Sequence, residues 1–201
     1  MSWLKVLKAS DYKTMPWKNG GGVTQDILLL PEDSTHENFD IRLSLAPIVG
    51  EGPFSSFPGI DRHITLLGGE RLELVFGSET RVLRRLEPLY FDSVQQPVSR
   101  LPDGAVRVLN VMTRRGRWHA QVMPASGGKE PLLAAPDGGF VILHAVTGVW
   151  QVGHSLGAAL VHPGETLVSR EEGALRASCD ARGGDMRGEA VVAFLAPTGP
   201  R

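Results

Sequence analysis

Hydrophobic and β-branched residues are grouped in short runs along the whole chain, with no sustained period of 3.6 residues. Glycine (24 residues) and proline (14 residues) separate the runs at short intervals, as is typical of turns between strands. No run leaves room for a crossover helix, so parallel βαβ units are not expected. The pattern predicts an all-β protein, whose strands include residues 23–30, 41–46, 63–76, 105–113, 140–152, 158–162 and 189–195.

The order of these strands repeats weakly within the chain. Residues 64–76 and 141–152 each place a glycine-containing turn between two apolar strands. In both cases a proline-containing strand follows, and then a further apolar strand. The repetition predicts two similar β-barrel lobes. The expected linker is the segment 126–139, which is rich in glycine and proline. We therefore assign residues 1–125 to an N-terminal lobe and 129–201 to a C-terminal lobe.

Charge and cysteine content narrow the classes of partner. With 21 basic and 22 acidic side chains the formal charge is -1, so no long-range field attracts nucleic acid or an anionic membrane. The longest purely apolar stretch, residues 190–196, is far shorter than the roughly 20 residues of a membrane span. Cys179 is the only cysteine, which excludes an internal disulfide and favours a reducing compartment. We expect a cytoplasmic protein.

Two features that suggest catalysis lack the residues that the chemistry needs. Residues 153–157 satisfy the G-x-S-x-G pattern of a nucleophile elbow, but Pro163 follows where the elbow requires a helix. We predict a hairpin turn there. The six histidines are dispersed and form no H-x-H pair of the kind that binds metal in many β-barrel proteins. We expect neither a metal nor any other cofactor.

The segment 15–24 combines an aromatic residue, a cation and an amide, Trp17, Lys18 and Asn19, with three consecutive glycines. Its plain interpretation is a hairpin with Asn19 and Gly20 in the turn. Glycines also let a backbone approach a ligand closely. Trp17 would then supply a stacking face and Lys18 a positive charge.

Strand alternation groups several polar side chains farther along the chain. Arg42 and Ser44 share one face of their strand. A later strand has one face that is apolar for most of its length and polar at one end, formed by Val106, Val108, Asn110, Met112 and Arg114. This arrangement suits the mouth of a pocket. It also suits a strand whose end emerges into solvent, and the pattern leaves both interpretations open.

Four motifs in order give the sequence a family resemblance. They are PWKNGGGVT (16–24), FDIRLS (39–44), GPFSSFPGIDR (52–62) and NVMTRR (110–115). Together they resemble the HutD/Ves family of the cupin superfamily, whereas the C-terminal lobe matches that family only in general layout. Many members carry an acidic residue two positions before the motif asparagine, and this sequence has Val108 there.

The resemblance implies a bicupin, two cupin-like β-barrel lobes in one chain, from a bacterial group linked to histidine utilisation. Members of that group are thought to restrain or tune the pathway. A small anionic pathway metabolite, such as N-formylglutamate, formiminoglutamate or urocanate, is the implied class of ligand. A homodimer and a protein partner in histidine catabolism are both compatible with the resemblance.

The favoured hypothesis is a metal-free binding protein for a small carboxylate metabolite. Arginine and lysine would meet carboxylates, asparagine would bond to amide or formyl groups, and apolar side chains would form the walls. The expected ligand-binding residues are Trp17, Lys18, Asn19, Arg42, Phe54, Arg62, Asn110, Met112 and Arg114.

Two alternatives stay open. In the first, the same pocket is catalytic without a metal, with His63 as the acid or base. Alternation sends His63 and Arg62 to opposite faces, which disfavours this role for His63. In the second, the protein regulates by contacting another protein, with the basic cluster 114–117 as a docking surface. We expect a binding protein rather than an enzyme.

Overall fold

The computed structural model describes residues 3–16, 22–154, 157–179 and 188–199. Nearly all regular structure in these ranges is β, which confirms the predicted all-β class; the helices are two three-residue 3-10 turns, Ala9–Asp11 and Ser93–Gln95. Among the described residues, no helix has the length and hydropathy that crossing a membrane requires. The strands are β1 (Leu4–Leu7), β2 (Lys13–Pro16), β3 (Val23–Leu30), β4 (Ile41–Ile48), β5 (Gly52–Pro53), β6 (Ile60–Gly68), β7 (Leu72–Phe76), β8 (Glu79–Leu83), β9 (Pro88–Asp92), β10 (Val98–Arg100), β11 (Val106–Arg114), β12 (Trp118–Ser126), β13 (Leu132–Ala134), β14 (Phe140–Thr147), β15 (Trp150–His154), β16 (Gly157–Val161), β17 (Thr166–Ser169), β18 (Ala174–Cys179) and β19 (Glu189–Pro197).

The described residues divide into two compact units. The first unit, within residues 12–119, contains a six-stranded sheet of order β2-β3-β4-β11-β6-β9 and a four-stranded sheet of order β5-β10-β7-β8. Its strand pairs are antiparallel throughout. Inward-facing apolar side chains of both sheets form one core, which includes Ala46, Ile64, Leu66, Leu72, Leu74, Leu83, Val106 and Val108. Burial of this alternating face holds the two sheets together.

The second unit contains a five-stranded sheet of order β1-β17-β14-β19-β12 and a four-stranded sheet of order β13-β18-β15-β16. Its core is also built from both sheets, and the apolar residues that form it are Leu133, Val141, Leu143, Ala145, Trp150, Val152, Val161, Leu167, Leu175, Ala177, Ala190 and Val192. Strands β15 and β16 pair antiparallel with His154 opposite Gly157. The two ends of the G-x-S-x-G sequence therefore lie in paired strands, with Gly153 and His154 in β15 and Gly157 in β16. The turn is predicted at Ser155 and Leu156, which lie outside the described residues.

The division between the units differs from the predicted lobes of residues 1–125 and 129–201. It falls between His119 and Ala120, because β12 belongs to the five-stranded sheet of the second unit. Residues 3–11 also belong to the second unit, since β1 pairs with β17 from Leu4 opposite Ser169 to Leu7 opposite Thr166. The expected linker 126–139 contains β13 and contributes to the second unit's sheets.

Candidate anion-binding site

Strand register places both buried arginines of the first unit in one row across the inner face of its six-stranded sheet. Directly opposed residues of antiparallel strands point to the same face. The row, which we call the arginine row, consists of Leu29, Arg42, Met112, Arg62 and Phe91.

The next row on the same face is also partly polar. It consists of Asp26, Ser44, Asn110, Ile64 and Leu89. The row beyond it is apolar, with Val108 opposite both Ala46 and Leu66. The inner face is thus apolar toward one end and polar toward the other, as the alternation in β11 predicts. The polar end does not emerge into solvent, because Arg42, Arg62 and Asn110 are all buried.

Arg42 is neutralised by an acidic partner within the interior. Nε of Arg42 donates a hydrogen bond to Oδ1 of Asp26 at 2.8 Å, and Nη2 lies 2.8 Å from the same oxygen as part of the ion pair. The second carboxylate oxygen, Oδ2, lies 2.6 Å from Nε2 of His36. Arg42 and Asp26 are buried, whereas His36 is one-third exposed. A hydrogen bond between a guanidinium and a buried carboxylate is charge-assisted and therefore strong.

Arg62 has no such partner. Its Cζ atom lies 5.4 Å from the ring centroids of Phe54 and Phe57 and 5.5 Å from that of Phe91. Arg62 makes one long hydrogen bond to the described residues, in which Nη2 donates to the carbonyl oxygen of Ser55 at 3.4 Å. Nε of Arg62 is buried and has no hydrogen-bond partner among the described residues. Burial, and secondly the charge of Arg42, lower the pKa of Arg62 well below its ordinary value, to about 9. The site holds a buried cation whose charge no described carboxylate balances.

The segment between β5 and β6 brings the aromatic rings to Arg62. Phe54 and Phe57 are half-buried, and Phe54 packs edge-on against Phe91 at 6.4 Å. Gly59 then adopts a φ of 73° and leads the chain into β6, a conformation that glycine adopts without strain. Aromatic faces near a guanidinium stabilise its charge by cation–π attraction, and they also exclude water from it.

Asn110 and Met112 complete the site on β11. Oδ1 of Asn110 is buried and has no hydrogen-bond partner among the described residues. An unpaired buried amide oxygen is costly, and a bound N–H group would satisfy it. Met112 lies in an apolar cluster with Phe39 and Ile60 and forms a wall of the site.

Of the nine expected ligand-binding residues, five lie together in this interior: Arg42, Phe54, Arg62, Asn110 and Met112. Trp17, Lys18 and Asn19 are outside the described residues. Arg114 is placed differently, at the end of β11. Its side chain donates to the carbonyl oxygen of Phe39 at 2.6 Å and to Oδ1 of Asp40 at 3.1 Å.

The residues of the two alternative hypotheses lie elsewhere. His63 faces away from Arg62, because its register partners are Val111 and Tyr90 on the other face of the sheet. Burial, and secondly the charge of His119, lower the pKa of His63 to about 4. In the basic cluster 114–117, every arginine is paired with an aspartate of the same unit.

Three residues of the site, Asp26, His36 and Phe57, were not anticipated from the sequence. Asp26 is the one charged residue in the otherwise uncharged run 23–30, and a lone carboxylate in a buried strand is a usable signal. Phe57 belongs to a recognised motif but resembles a core residue. His36 lies between β3 and β4, where no pattern marks it.

Metal ligands are not grouped in the part of the chain that the structure describes. No cluster of three or more His, Cys, Asp or Glu side chains there could hold a metal ion. The second unit offers no comparable polar interior either, since its described buried polar residues are His144, Thr166 and Ser169. The unpaired buried cation is therefore a feature of the first unit among the described residues.

Comparison with known proteins agrees with this architecture. The model of the HutD family matches residues 9–186. A Pseudomonas putida protein described as an uncharacterized 21.2 kDa protein in the hutC 3′ region is 39% identical over 125 residues, which are 61% of this chain and 64% of that protein. Protein Ves of Citrobacter koseri is 36% identical over 73% of this chain and 76% of its own length.

Solved structures extend the likeness. A structure of HutD from Pseudomonas fluorescens, described as a formate condition, has a TM-score of 0.80 and 31% identity over 98% of this chain and 100% of that one. A cupin 2 conserved barrel domain protein from Leptotrichia buccalis matches at a TM-score of 0.56 and 11% identity over 90% of this chain and 92% of its own, which shows the fold alone. The two β units are cupin-like, and the chain belongs to the HutD family, which is linked to the histidine utilisation locus.

Proposed function

We propose that this protein is a cytoplasmic, metal-free cupin that binds a small carboxylate metabolite in the interior of its first unit and thereby regulates histidine utilisation. The observation that carries the proposal is Arg62, a buried guanidinium with no carboxylate partner among the described residues. Holding an unpaired charge in an apolar interior costs several kcal/mol. A site that keeps such a charge is suited to receive an anion.

A bound carboxylate would satisfy the groups that the protein leaves unpaired. It would accept from the Nε and Nη groups of Arg62, and such charge-assisted bonds contribute about 1.5–3 kcal/mol each. The rings of Phe54 and Phe57 would exclude water from the contact. Asn110 would bond to a second polar group of the ligand through its unpaired oxygen.

The family relationship suggests which carboxylates to test. The Pseudomonas putida relative is described by its position in the hutC 3′ region, and the Pseudomonas fluorescens HutD structure by a formate condition. Intermediates of histidine catabolism, namely N-formylglutamate, formiminoglutamate and urocanate, are therefore the proposed ligand class. A homodimer or a protein partner in the same pathway would transmit the binding signal.

A thermal-shift titration tests the proposal. A ligand at 100 times its Kd stabilises the folded protein by about 2.7 kcal/mol, which in a chain of this length raises Tm by about 5–10 °C. We expect that shift from at least one of the three metabolites, and we expect Arg62→Gln to abolish it. Arg84→Gln, which alters an exposed arginine of the same unit, is the matched control. No shift from any of the three would refute this ligand class.

A metal-independent enzyme acting on a small amino-acid-derived acid is the second candidate. The observation in its favour is the contact of 2.6 Å between Nε2 of His36 and Oδ2 of Asp26, because a carboxylate bonded to an imidazole holds the ring in place, as a general acid or base requires. Recovering the ligands after incubation and analysing them for conversion distinguishes the two functions. Conversion that His36→Gln abolishes would establish the enzyme, and intact recovery would favour the binding protein.

A further inference from the structure

The charges of the described residues in the polar interior do not balance. Two buried arginines, Arg42 and Arg62, share the arginine row, and one buried carboxylate, Asp26, lies in the next row. These three ionic side chains leave one net positive charge. The excess resides at Arg62, because Oδ1 of Asp26 lies 2.8 Å from both Nε and Nη2 of Arg42 and neutralises that guanidinium.

This imbalance limits the charge of an occupant. A single negative charge placed at Arg62 would leave the interior neutral. A second negative charge would face Arg42, whose guanidinium Asp26 already neutralises, and would lie near the Asp26 carboxylate itself. Uncompensated charge is expensive where water is excluded, so a second ionic group on a ligand would weaken binding.

The adjoining row supplies a neutral counterpart instead. Asn110 lies one strand and one row away from Arg62. Neighbouring strands are about 4.8 Å apart and successive same-face residues about 6.8 Å apart, so their Cα atoms are separated by roughly 8 Å. The unpaired, buried Oδ1 of Asn110 can accept a hydrogen bond. The far end of the ligand would therefore carry an N–H donor rather than a second carboxylate.

We propose that Asp26 determines the specificity of this site, restricting it to small ligands of one net negative charge that present one carboxylate to Arg62 and an uncharged N–H group toward Asn110. The inference rests on the proposed function and narrows it. Asp26 acts through Arg42 and does not itself contact the ligand, which makes it a positioning residue.

The wild-type protein tests the inference with matched pairs of compounds. N-formylglutamate carries two negative charges, and each of its two monoamides, N-formylglutamine and N-formylisoglutamine, has nearly the same shape with one. Succinate and succinamate form a second pair. Kd values are measured by isothermal titration calorimetry at about pH 8, where imidazole groups are ordinarily neutral.

We expect at least one monoamide in these pairs to bind about tenfold or more tightly than its dianion, as one uncompensated charge near a buried site requires. Equal or tighter binding of the dianions in both pairs would overturn the inference and leave the proposed function standing. If no compound of either pair binds, and none of the three pathway metabolites binds either, both the inference and the proposed function are overturned.

A charge-changing variant gives an independent test. Asp26→Asn raises the net charge of the interior by one while preserving the shape of the side chain. We expect the preference to reverse, so that the dianion binds more tightly than the monoamide. Asp33→Asn is the matched control, because Asp33 is exposed just beyond the same strand, and it should keep the wild-type preference. An unchanged preference in folded Asp26→Asn would overturn the role of Asp26, and the wild-type pairs remain decisive if that variant does not fold.

Discussion

Replacing the unpaired guanidinium by an apolar side chain of similar length should stabilise the ligand-free protein. Burial and the charge of Arg42 lower the pKa of Arg62 well below its ordinary value, to about 9, and each pKa unit corresponds to about 1.4 kcal/mol. On that scale, keeping Arg62 charged at neutral pH costs on the order of 5 kcal/mol. Cation–π contacts with three rings offset roughly 1 kcal/mol each. We expect Arg62→Met to increase the free energy of unfolding by about 2 kcal/mol.

Thermal unfolding in a carboxylate-free buffer measures this effect. For a chain of this length, 1 kcal/mol corresponds to about 2–4 °C in Tm, so Arg62→Met should unfold about 4–8 °C above wild type. Arg84→Met, at an exposed position, should change Tm little. A ligand should raise the Tm of wild type and leave that of Arg62→Met unchanged. An Arg62→Met protein less stable than wild type would refute the idea that Arg62 is held at a cost.

Three further predictions concern stability. Asp26→Asn should destabilise the protein by about 3 kcal/mol in urea unfolding, because removing one member of a buried ion pair strands Arg42; a loss below about 0.5 kcal/mol would contradict the pairing. Burial lowers the pKa of His63 in the folded protein from an ordinary value of 6.5 to about 4, so the unfolded chain binds this proton first and stability should fall as pH drops from about 6.5 to 4. His63→Gln should flatten that fall, and an unaltered pH profile would contradict it. Gly69 and Gly104 have similar φ values of 90° and 92°, but a Cβ added at Gly69 would lie 2.8 Å from the Val106 side chain, whereas one added at Gly104 would meet nothing within 4 Å. Gly69→Ala should therefore lower Tm more than Gly104→Ala, and equal losses of Tm would contradict the steric argument.

Local patterns were sufficient to predict the class of fold and the inner faces of two strands. Period-two alternation placed Arg42 and Ser44 on one face of β4, and Asn110 and Met112 on one face of β11. The strand register shows that both belong to the same interior face of the sheet. Alternation also separated His63 from the site. Such predictions succeed because pleating fixes side-chain direction within any one strand.

Features that depend on pairing between strands were not accessible. A bulge between Asp26 and Leu28 shifts the register, so Asp26 lies opposite Ser44 while Leu29 lies opposite Arg42. Strict alternation from Leu29 would have sent Asp26 to the outer face. A bulge of this kind commonly re-aims a side chain near a functional site, and no local pattern of residues reveals it.

Competition between partners explains the remaining differences. Arg114 shares the alternation of Met112, yet Asp40, which directly precedes β4, pairs with it. That contact joins residues 74 positions apart in sequence. The pairing of β1 with β17 in the second unit is likewise non-local, so the lobe boundary could not be read from composition.

X-ray diffraction from crystals grown with the tightest-binding monoanion tests the central claim most directly. We predict electron density for the ligand in the interior of the first unit, with carboxylate oxygens about 2.7–3.0 Å from the guanidinium nitrogens of Arg62 and Asp26 still paired with Arg42. Density for the ligand at another place, with the Arg62 nitrogens contacting no anion, would contradict the account.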